Sequence, residues 1–223
     1  MSAVIETPKI QGLGDDALLV TFADAISWDI GVRVRRVAKL VCDMQLEAVT
    51  DVVPAYTTLA VYFDRSRGSF AAIATLVADV VAAVIDEKGG HVEQDSVLVE
   101  IPVRYDGPDL AEVAARTGLT VEEVVARHSS RTYRAYMSGF VPGFAYLGDL
   151  DESLVLARRT VPRVRVSAGS VAIAGRQTAV YPLETPGGWH LIGTTPVTMF
   201  DATRDPPALV RAGDTVRFVD VDR

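Results

Sequence analysis

The stretches GFVPGFAYLGDL (residues 139–150) and RVSAGSVAIAGRQTAVYP (residues 165–182) carry five glycines and two prolines among aromatic and β-branched residues. Glycine opens backbone conformations closed to other residues, and proline removes a donor from a strand ladder. The composition therefore reads as short strands joined by sharp turns, with backbone passing close to a ligand or a partner surface. Strand candidates at 133–139, 143–147, 170–174, 179–181, 189–193 and 215–219 continue the pattern through the second half of the chain. Several short strands at close spacing imply a closed barrel or a sandwich.

Upstream the periodicity changes. Residues 17–22 read as a short buried strand, and from Ser27 as N-cap the apolar residues Ile30, Val34, Val37, Val41 and Met44 fall at helical spacing. Residues 49–55 and 58–63 are two strands rich in β-branched and aromatic residues. Ser69 caps a second helix with Ile73, Leu76, Val77, Val80, Val81 and Val84 on its apolar face, ended by Gly89-Gly90. This order predicts an α+β two-layer domain, its helices covering one side of a small antiparallel or mixed sheet. The polar segment from His91 to Ser96 marks a boundary, giving domains 1–93 and 94–223. The second domain opens with a strand at 96–103 that places Val97, Val99, Ile101 and Val103 on one face. Pro108-Asp109 starts a short helix, and Thr120 with Glu123 forms a capping box for another that ends at His128.

At 223 residues, 49% hydrophobic and 23% charged, the chain has the composition of a soluble globular protein. A net charge of −7 opposes binding to nucleic acid and to anionic membranes. With one cysteine, Cys42, there is no internal disulfide and no multi-cysteine metal site, and a helical position makes Cys42 a small buried hydrophobe. The first ten residues lack a basic segment followed by an apolar run, and the apolar run at 76–85 is too short to span a bilayer, so a cytoplasmic location is expected. Arg33, Arg35, Arg36 and Lys39 on the first helix read as a solvated face.

The sequence lacks a GxxxxGK[ST] loop, a GxGxxG turn, HExxH, CxxC, a nucleophile elbow and a Met-Lys-Met biotinylation site. What remains is a cluster of hydrogen-bond donors. Arg163 and Arg165 are two apart in a strand-like segment near Gly169 and Gly175, so they share a face. Two adjacent guanidiniums call for a carboxylate or phosphate between them, or for ion pairs with Asp149, Asp151 or Glu152. Gln177 adds a neutral group able to read an amide. Tyr136, Phe140, Phe144, Tyr146 and Trp189 build the barrel core or rim, or line a pocket with their polar tips. Turns at Pro142-Gly143 and Gly187-Gly188 expose backbone N–H groups suited to an oxyanion, the second beside His190. His128, ending its helix, reads as a partner of the helix dipole or as a base. Arg165, Gln177 and His128 are the catalytic candidates, and Gly175, Gly188, Trp189 and His190 join Arg163 and the aromatic residues as substrate contacts.

The motif Gly139-Phe140-x-Pro142-Gly143-Phe144-x-Tyr146-Leu147, followed by AGSVAIAGRQT (168–178), TPGGWHLIG (185–193) and RDPPALVRAGDTVRF (204–218), resembles the allophanate hydrolase subunit 1 family. That family includes the B subunit of prokaryotic 5-oxoprolinase, the KipI sporulation-kinase inhibitor and part of the carboxyltransferase region of urea carboxylase. The resemblance implies a cyclophilin-like β-barrel in the second half. It also implies a subunit of an ATP-dependent 5-oxoprolinase, which opens 5-oxo-L-proline to L-glutamate with hydrolysis of ATP. ATP would be a co-substrate bound with a partner subunit. The implied partners are the biotin-dependent carboxyltransferase-like C subunit (allophanate hydrolase subunit 2) and a LamB/YcsF-like A subunit, so the chain alone is expected to be nearly inactive. Inhibition of a sensor histidine kinase and carboxyl transfer to a urea-like substrate are the alternatives that the family offers.

Overall fold

Alternating apolar residues in the first half of the chain build a small sheet with one buried face. The computed structural model describes residues 8–86 and 96–222. The chain divides into two compact units, Met1–Glu93 and Gln94–Arg223. Most of the expected linker, and the glycine pair at 89–90, lie outside the described residues.

In the first unit, strands β1 (Lys9–Gly12), β2 (Ala17–Thr21), β3 (Val49–Pro54) and β4 (Thr58–Phe63) form an antiparallel sheet in the order β1-β2-β4-β3. Helices α1 (Trp28–Asp43) and α2 (Phe70–Asp86) pack on it and on each other. Leu18, Val20, Leu59, Val61 and Phe63 face the helices and meet Val34, Val37, Val41, Val77, Val81 and Val84. Each such side chain stabilises the unit by about 1.5–3 kcal/mol on burial, so these stripes fix which way each helix faces. Both predicted caps form: Ser27 Oγ accepts from Ile30 N–H at 3.3 Å and Ser69 Oγ from Ala72 N–H at 3.2 Å.

Three expectations for this unit need correction. The sheet has an additional edge strand, β1, whose exposed KIQG sequence carries no alternation. Cys42 and Met44 are exposed, because they follow the last buried position, Val41, around the helix. Nor is the basic run of α1 simply solvated: Arg33, Arg35 and Arg36 are half-buried, and the Arg35 guanidinium lies 4.6 Å from the Trp28 ring centroid. Lys39, which pairs with Asp43 at 3.0 Å, does face water.

The second unit is the barrel. It contains β5 (Leu98–Val103), α3 (Leu110–Thr117), α4 (Val121–Ser129), β6 (Thr132–Ser138), β7 (Ala145–Gly148), a 3-10 turn at Glu152–Leu154, β8 (Arg163–Val166), β9 (Ser170–Ala174), β10 (Gln177–Val180), β11 (Thr185–Gly187), β12 (His190–Thr194) and β13 (Thr215–Asp220). Seven strands run in the order β12-β9-β10-β7-β6-β13-β5, antiparallel except for the parallel pair β13 and β5. The two edges meet where Arg104 and Thr194 exchange backbone hydrogen bonds of 2.9 and 2.8 Å, which closes the barrel. Gly193 permits that seam, because a Cβ there would lie 2.6 Å from the Arg104 carbonyl oxygen. The interior is filled by Ile101, Val103, Tyr133, Leu147, Val171, Ile173, Ile192 and Phe218, with Val124 and Val125 of α4 packed on them. The capping box of α4 is complete: Thr120 Oγ1 accepts from Glu123 N–H, and the Glu123 carboxylate from Thr120 N–H. Strands β8 and β11 form a separate two-stranded ribbon.

Candidate functional site

On the outer face of the barrel sheet, small residues leave room for aromatic rings. Ala172, Ala174 and Ala179 form a buried floor with Phe144, Tyr181, Trp189 and Leu191. The Phe144 ring centroid lies 5.5 Å from Phe140, 4.8 Å from Tyr146, 5.5 Å from Tyr181 and 5.7 Å from Trp189, each with edge-to-face geometry. Phe140 is 59% exposed and has a φ of 75°, a conformation costly for a residue with a side chain. The turn thus holds an aromatic ring at the rim of the cluster. Gly143, with φ 80°, is glycine for a packing reason, since a Cβ would stand 2.6 Å from Phe200 Cβ. That turn packs against the segment at 199–200, and the next amide, Phe144 N–H, donates to Val141 O, so an oxyanion role for this turn does not follow from its geometry. Pro142, beside it, is exposed.

Beside the aromatic cluster lies a buried ion network. The Asp109 carboxylate, only 3% exposed as a residue, accepts from Arg163 Nη2 at 2.6 Å and Arg159 Nη1 at 3.1 Å, and from Leu191 N–H at 2.7 Å. Arg159 Nη1 also reaches Glu112 at 2.9 Å, and Arg159 N–H donates to the Gly188 carbonyl at 2.8 Å. Burial alone would raise the Asp109 carboxyl, but the hydrogen bonds from Arg163 and Leu191 and the two guanidinium charges outweigh it and hold the group below the usual carboxylate range. Gly187 pairs with Arg163 across the ribbon and lies directly under the Tyr181 hydroxyl, leaving no space for a Cβ. Burial pushes the Tyr181 hydroxyl up, while a bond from Trp189 N–H and the charges of Arg158 and Arg163 oppose that shift. Arg158 lies 5.8 Å from the Trp189 ring centroid. Phe140, Phe144, Tyr146 and Trp189 thus form one aromatic cluster, with Arg163 and Gly188 in the network beside it. Tyr181, Arg158, Arg159 and Asp109 join them without having been singled out.

The other sequence candidates go elsewhere. His128 is a core residue, fully buried, and its ring stacks on Phe218 with centroids 4.7 Å apart. The Thr178 hydroxyl donates to Ala172 O at 3.0 Å, so it accepts from His128 Nε2–H at 2.8 Å, and His128 Nδ1 accepts from the Tyr105 hydroxyl at 2.7 Å. Burial depresses its pKa to about 3, and a neutral imidazole with both nitrogens engaged inside the barrel is no general base. His190 is buried as well, its Nε2–H donating to Ala157 O at 2.9 Å, and Trp189 beside it belongs to the outer aromatic cluster. Arg165 does not share an anion with Arg163. It is largely exposed and pairs with Glu184 at 3.2 Å. The acids expected to pair with these arginines are engaged elsewhere: Asp151 with Arg131 at 2.8 Å, Glu152 with Arg176 at 2.9 Å, and Asp149 accepting from the Tyr136 hydroxyl at 3.1 Å. Tyr136 packs over Gly148. Gly175 sits in the β9–β10 hairpin, its N–H bonded to Leu156 O, and Gln177 begins β10.

Among the described residues there is no group of three or more His, Cys, Asp or Glu arranged to hold a metal, and no helix is long and apolar enough to cross a membrane. A surface cleft of about 490 Å³ in the first unit is lined by Gly12, Gly14, Asp15, Phe63, Arg65 and Phe70 among others, and includes none of the predicted site residues.

Comparison with known proteins agrees with the resemblance read from the four motifs. The chain is 38% identical to the B subunit of 5-oxoprolinase from Bacillus subtilis over 95% of its length and 92% of that protein. It is 41% identical to the corresponding 5-oxoprolinase B subunit from Escherichia coli O157:H7, covering 93% of both chains. The crystal structure of TTHA0988 matches with a TM-score of 0.81 and 38% identity over 92% of this chain, which spans only 40% of that longer one. The family model described as carboxyltransferase domain, subdomain C and D, matches residues 8–210. With that model covering most of its length and close relatives matched nearly end to end, the chain belongs to the carboxyltransferase domain, subdomain C and D, family.

Proposed function

We propose that the chain is the B-type subunit of an ATP-dependent 5-oxoprolinase, which hydrolyses 5-oxo-L-proline to L-glutamate together with partner subunits. The observation that carries this reading is the near end-to-end likeness to the 5-oxoprolinase B subunits of two bacteria. A five-membered lactam is a stable amide, so opening it requires activation of the carbonyl oxygen and protonation of the departing ring nitrogen. Phosphoryl transfer from ATP to the amide oxygen supplies the first. With ADP released, one water adds to the activated carbon, the adduct expels the protonated ring nitrogen to leave an acyl phosphate, and a second water hydrolyses that acyl phosphate to glutamate and phosphate.

In this reading the chain binds and orients. The apolar edge of the lactam ring lies against Phe144, Tyr146 and Trp189, and Arg163 takes the substrate carboxylate. The two histidines among the described residues are buried and hydrogen-bonded, which supports a general base supplied by another polypeptide. The longer chain of TTHA0988, of which the matching region is 40%, also favours a larger assembly. The C- and A-type subunits named by the family resemblance are the proposed partners, with ATP held among them.

The test is ATP-dependent glutamate release from 5-oxo-L-proline by the purified chain, alone and reconstituted with C- and A-type subunits. Turnover only in the reconstituted sample is expected, and full turnover by the chain alone would refute the shared site. The description of the matching family model favours carboxyl transfer as a second reading. That reading predicts a requirement for a biotin carrier, which the same reconstitution, run without biotin, would exclude.

A further inference from the structure

Four arginines, Arg158, Arg159, Arg163 and Arg165, fall within eight residues, and three of them are paired: Arg159 with Asp109 and Glu112, Arg163 with Asp109, and Arg165 with Glu184. Arg158 is exposed and has no acid partner among the described residues. Its guanidinium lies 5.8 Å from the Trp189 ring centroid instead, and its charge also acts on the Tyr181 hydroxyl. A cation over an aromatic ring at an exposed site is stabilised by about 0.5–1 kcal/mol, and that contact leaves the guanidinium N–H donors to another acceptor. The backbone on both sides of Arg158 is tied down, although residues 157–159 have no regular secondary structure. Leu156 O accepts from Gly175 N–H at 2.6 Å, Ala157 O accepts from His190 Nε2–H at 2.9 Å, and Arg159 N–H donates to Gly188 O at 2.8 Å. Two of those three bonds go to the residues flanking Trp189. The segment therefore carries an accessible, uncompensated positive charge to a fixed place on the aromatic cluster.

We propose that Arg158 is a catalytic residue of the assembled enzyme, in which its guanidinium holds the phosphoryl group as that group passes from ATP to the lactam oxygen. This rests on the reading of the chain as an oxoprolinase subunit, and deepens it by naming the cation that this chain supplies to the reacting atoms. The lactam ring lies against Trp189 in that reading, and Arg158 stands over the same ring. In the transfer, the bond from the γ-phosphorus to the ADP oxygen breaks with its electron pair going to ADP, and the lactam oxygen bonds to phosphorus. The ring N–H is retained, now on an iminium nitrogen. Charge spreads over the three equatorial oxygens of the phosphoryl group during this step. A guanidinium suits them because it offers two parallel donors and stays protonated throughout. The substrate carboxylate keeps the same charge from start to finish, so a cation placed there would act on binding alone, whereas a cation on the phosphoryl group acts on the rate.

The experiment is steady-state kinetics of the full chain reconstituted with C- and A-type subunits, for wild type, Arg158→Gln and Arg158→Lys, varying 5-oxo-L-proline at saturating ATP. Assembly is followed by sedimentation velocity, and the thermal midpoint of each chain is measured separately. Arg158→Gln should lower kcat by about 100-fold or more, the loss expected for one charged transition-state contact, with KM for 5-oxo-L-proline within about twofold. ADP formation should fall in step with glutamate release. Arg158→Lys, which keeps the charge without the paired donors, should recover part of the loss. The thermal midpoint should not move, because the side chain is exposed and has no acid partner among the described residues. A kcat for Arg158→Gln within about twofold of wild type would overturn the proposal. So would a rise in KM alone, which assigns Arg158 to the substrate carboxylate, or failure of the variant to assemble, which assigns it to docking. A wild-type complex that releases no glutamate sinks the oxoprolinase reading and this role with it, whereas an active wild type beside an unimpaired variant sinks the role alone.

Discussion

Substituting His128 by Gln should remove a specific acid lability of the fold. In the barrel interior the His128 ring is neutral, with its pKa depressed to about 3 by burial, whereas in the unfolded chain it titrates near 6.5. The unfolded state therefore takes up the proton first. The penalty is absent above pH 6.5 and grows as pH falls through the window down to about 3. At 1.36 kcal/mol per unit, going from pH 7.5 to pH 5 costs the wild type about 2 kcal/mol. The carboxyls of Asp109 and Asp151 are held below their usual range, so their contributions are lost only below their unfolded values near 3.8 and do not overlap most of this window. Urea unfolding followed by circular dichroism at pH 7.5, 6.5, 5.5 and 5.0 reads the effect directly. Gln can place a donor at Thr178 and an acceptor at Tyr105, so His128→Gln should fold and show a midpoint that varies far less over the same range. A wild-type midpoint flat from pH 7.5 to 5, or an equal fall in the variant, would refute the assignment of His128 as a buried neutral core residue. It would also reopen its candidacy as a base.

Two further substitutions or reagents probe other parts of the fold. Gly193→Ala places a methyl against the Arg104 carbonyl at the barrel seam and should cost about 1–3 kcal/mol in urea unfolding, an overpacking penalty. Cys42 should react with a thiol reagent in the native protein without prior unfolding, because it is exposed on α1; protection comparable to that of a core cysteine would contradict its placement.

Local signals in the sequence located most elements. Strand β9 is legible because an apolar run is bounded by Gly169 and Gly175, and the helix starts because Ser27, Ser69 and Thr120 stand where caps are needed. β1 and β11 were harder to read, since KIQG and TPG are short and carry no apolar alternation, with pairing set by their neighbours and not by their own residues, whereas the RVRV segment of β8 already read as strand-like. Cys42 illustrates the limit of a helical position as a guide: one residue beyond buried Val41, it has already turned to solvent. At the site, the aromatic residues were visible as a motif, but the partner of Arg163 was not. Asp109 stands 54 residues earlier and looks like an ordinary helix cap, so only the closed barrel brings the two together. His128 has the same character, because its burial depends on Thr178, 50 residues later, arriving on β10.

In the proposed function the aromatic face around Trp189 meets the substrate while another polypeptide completes the active site. Phe140 is the residue at which to challenge this, because it lies at the exposed rim of the cluster and contributes little to the core. In a reconstituted complex, Phe140→Ala should lower kcat/KM for ATP-dependent glutamate release by about tenfold with the thermal midpoint of the chain unchanged, the cost of losing one positioning contact. A kcat/KM within about twofold of wild type in a fully assembled complex would show that this face does not meet the substrate.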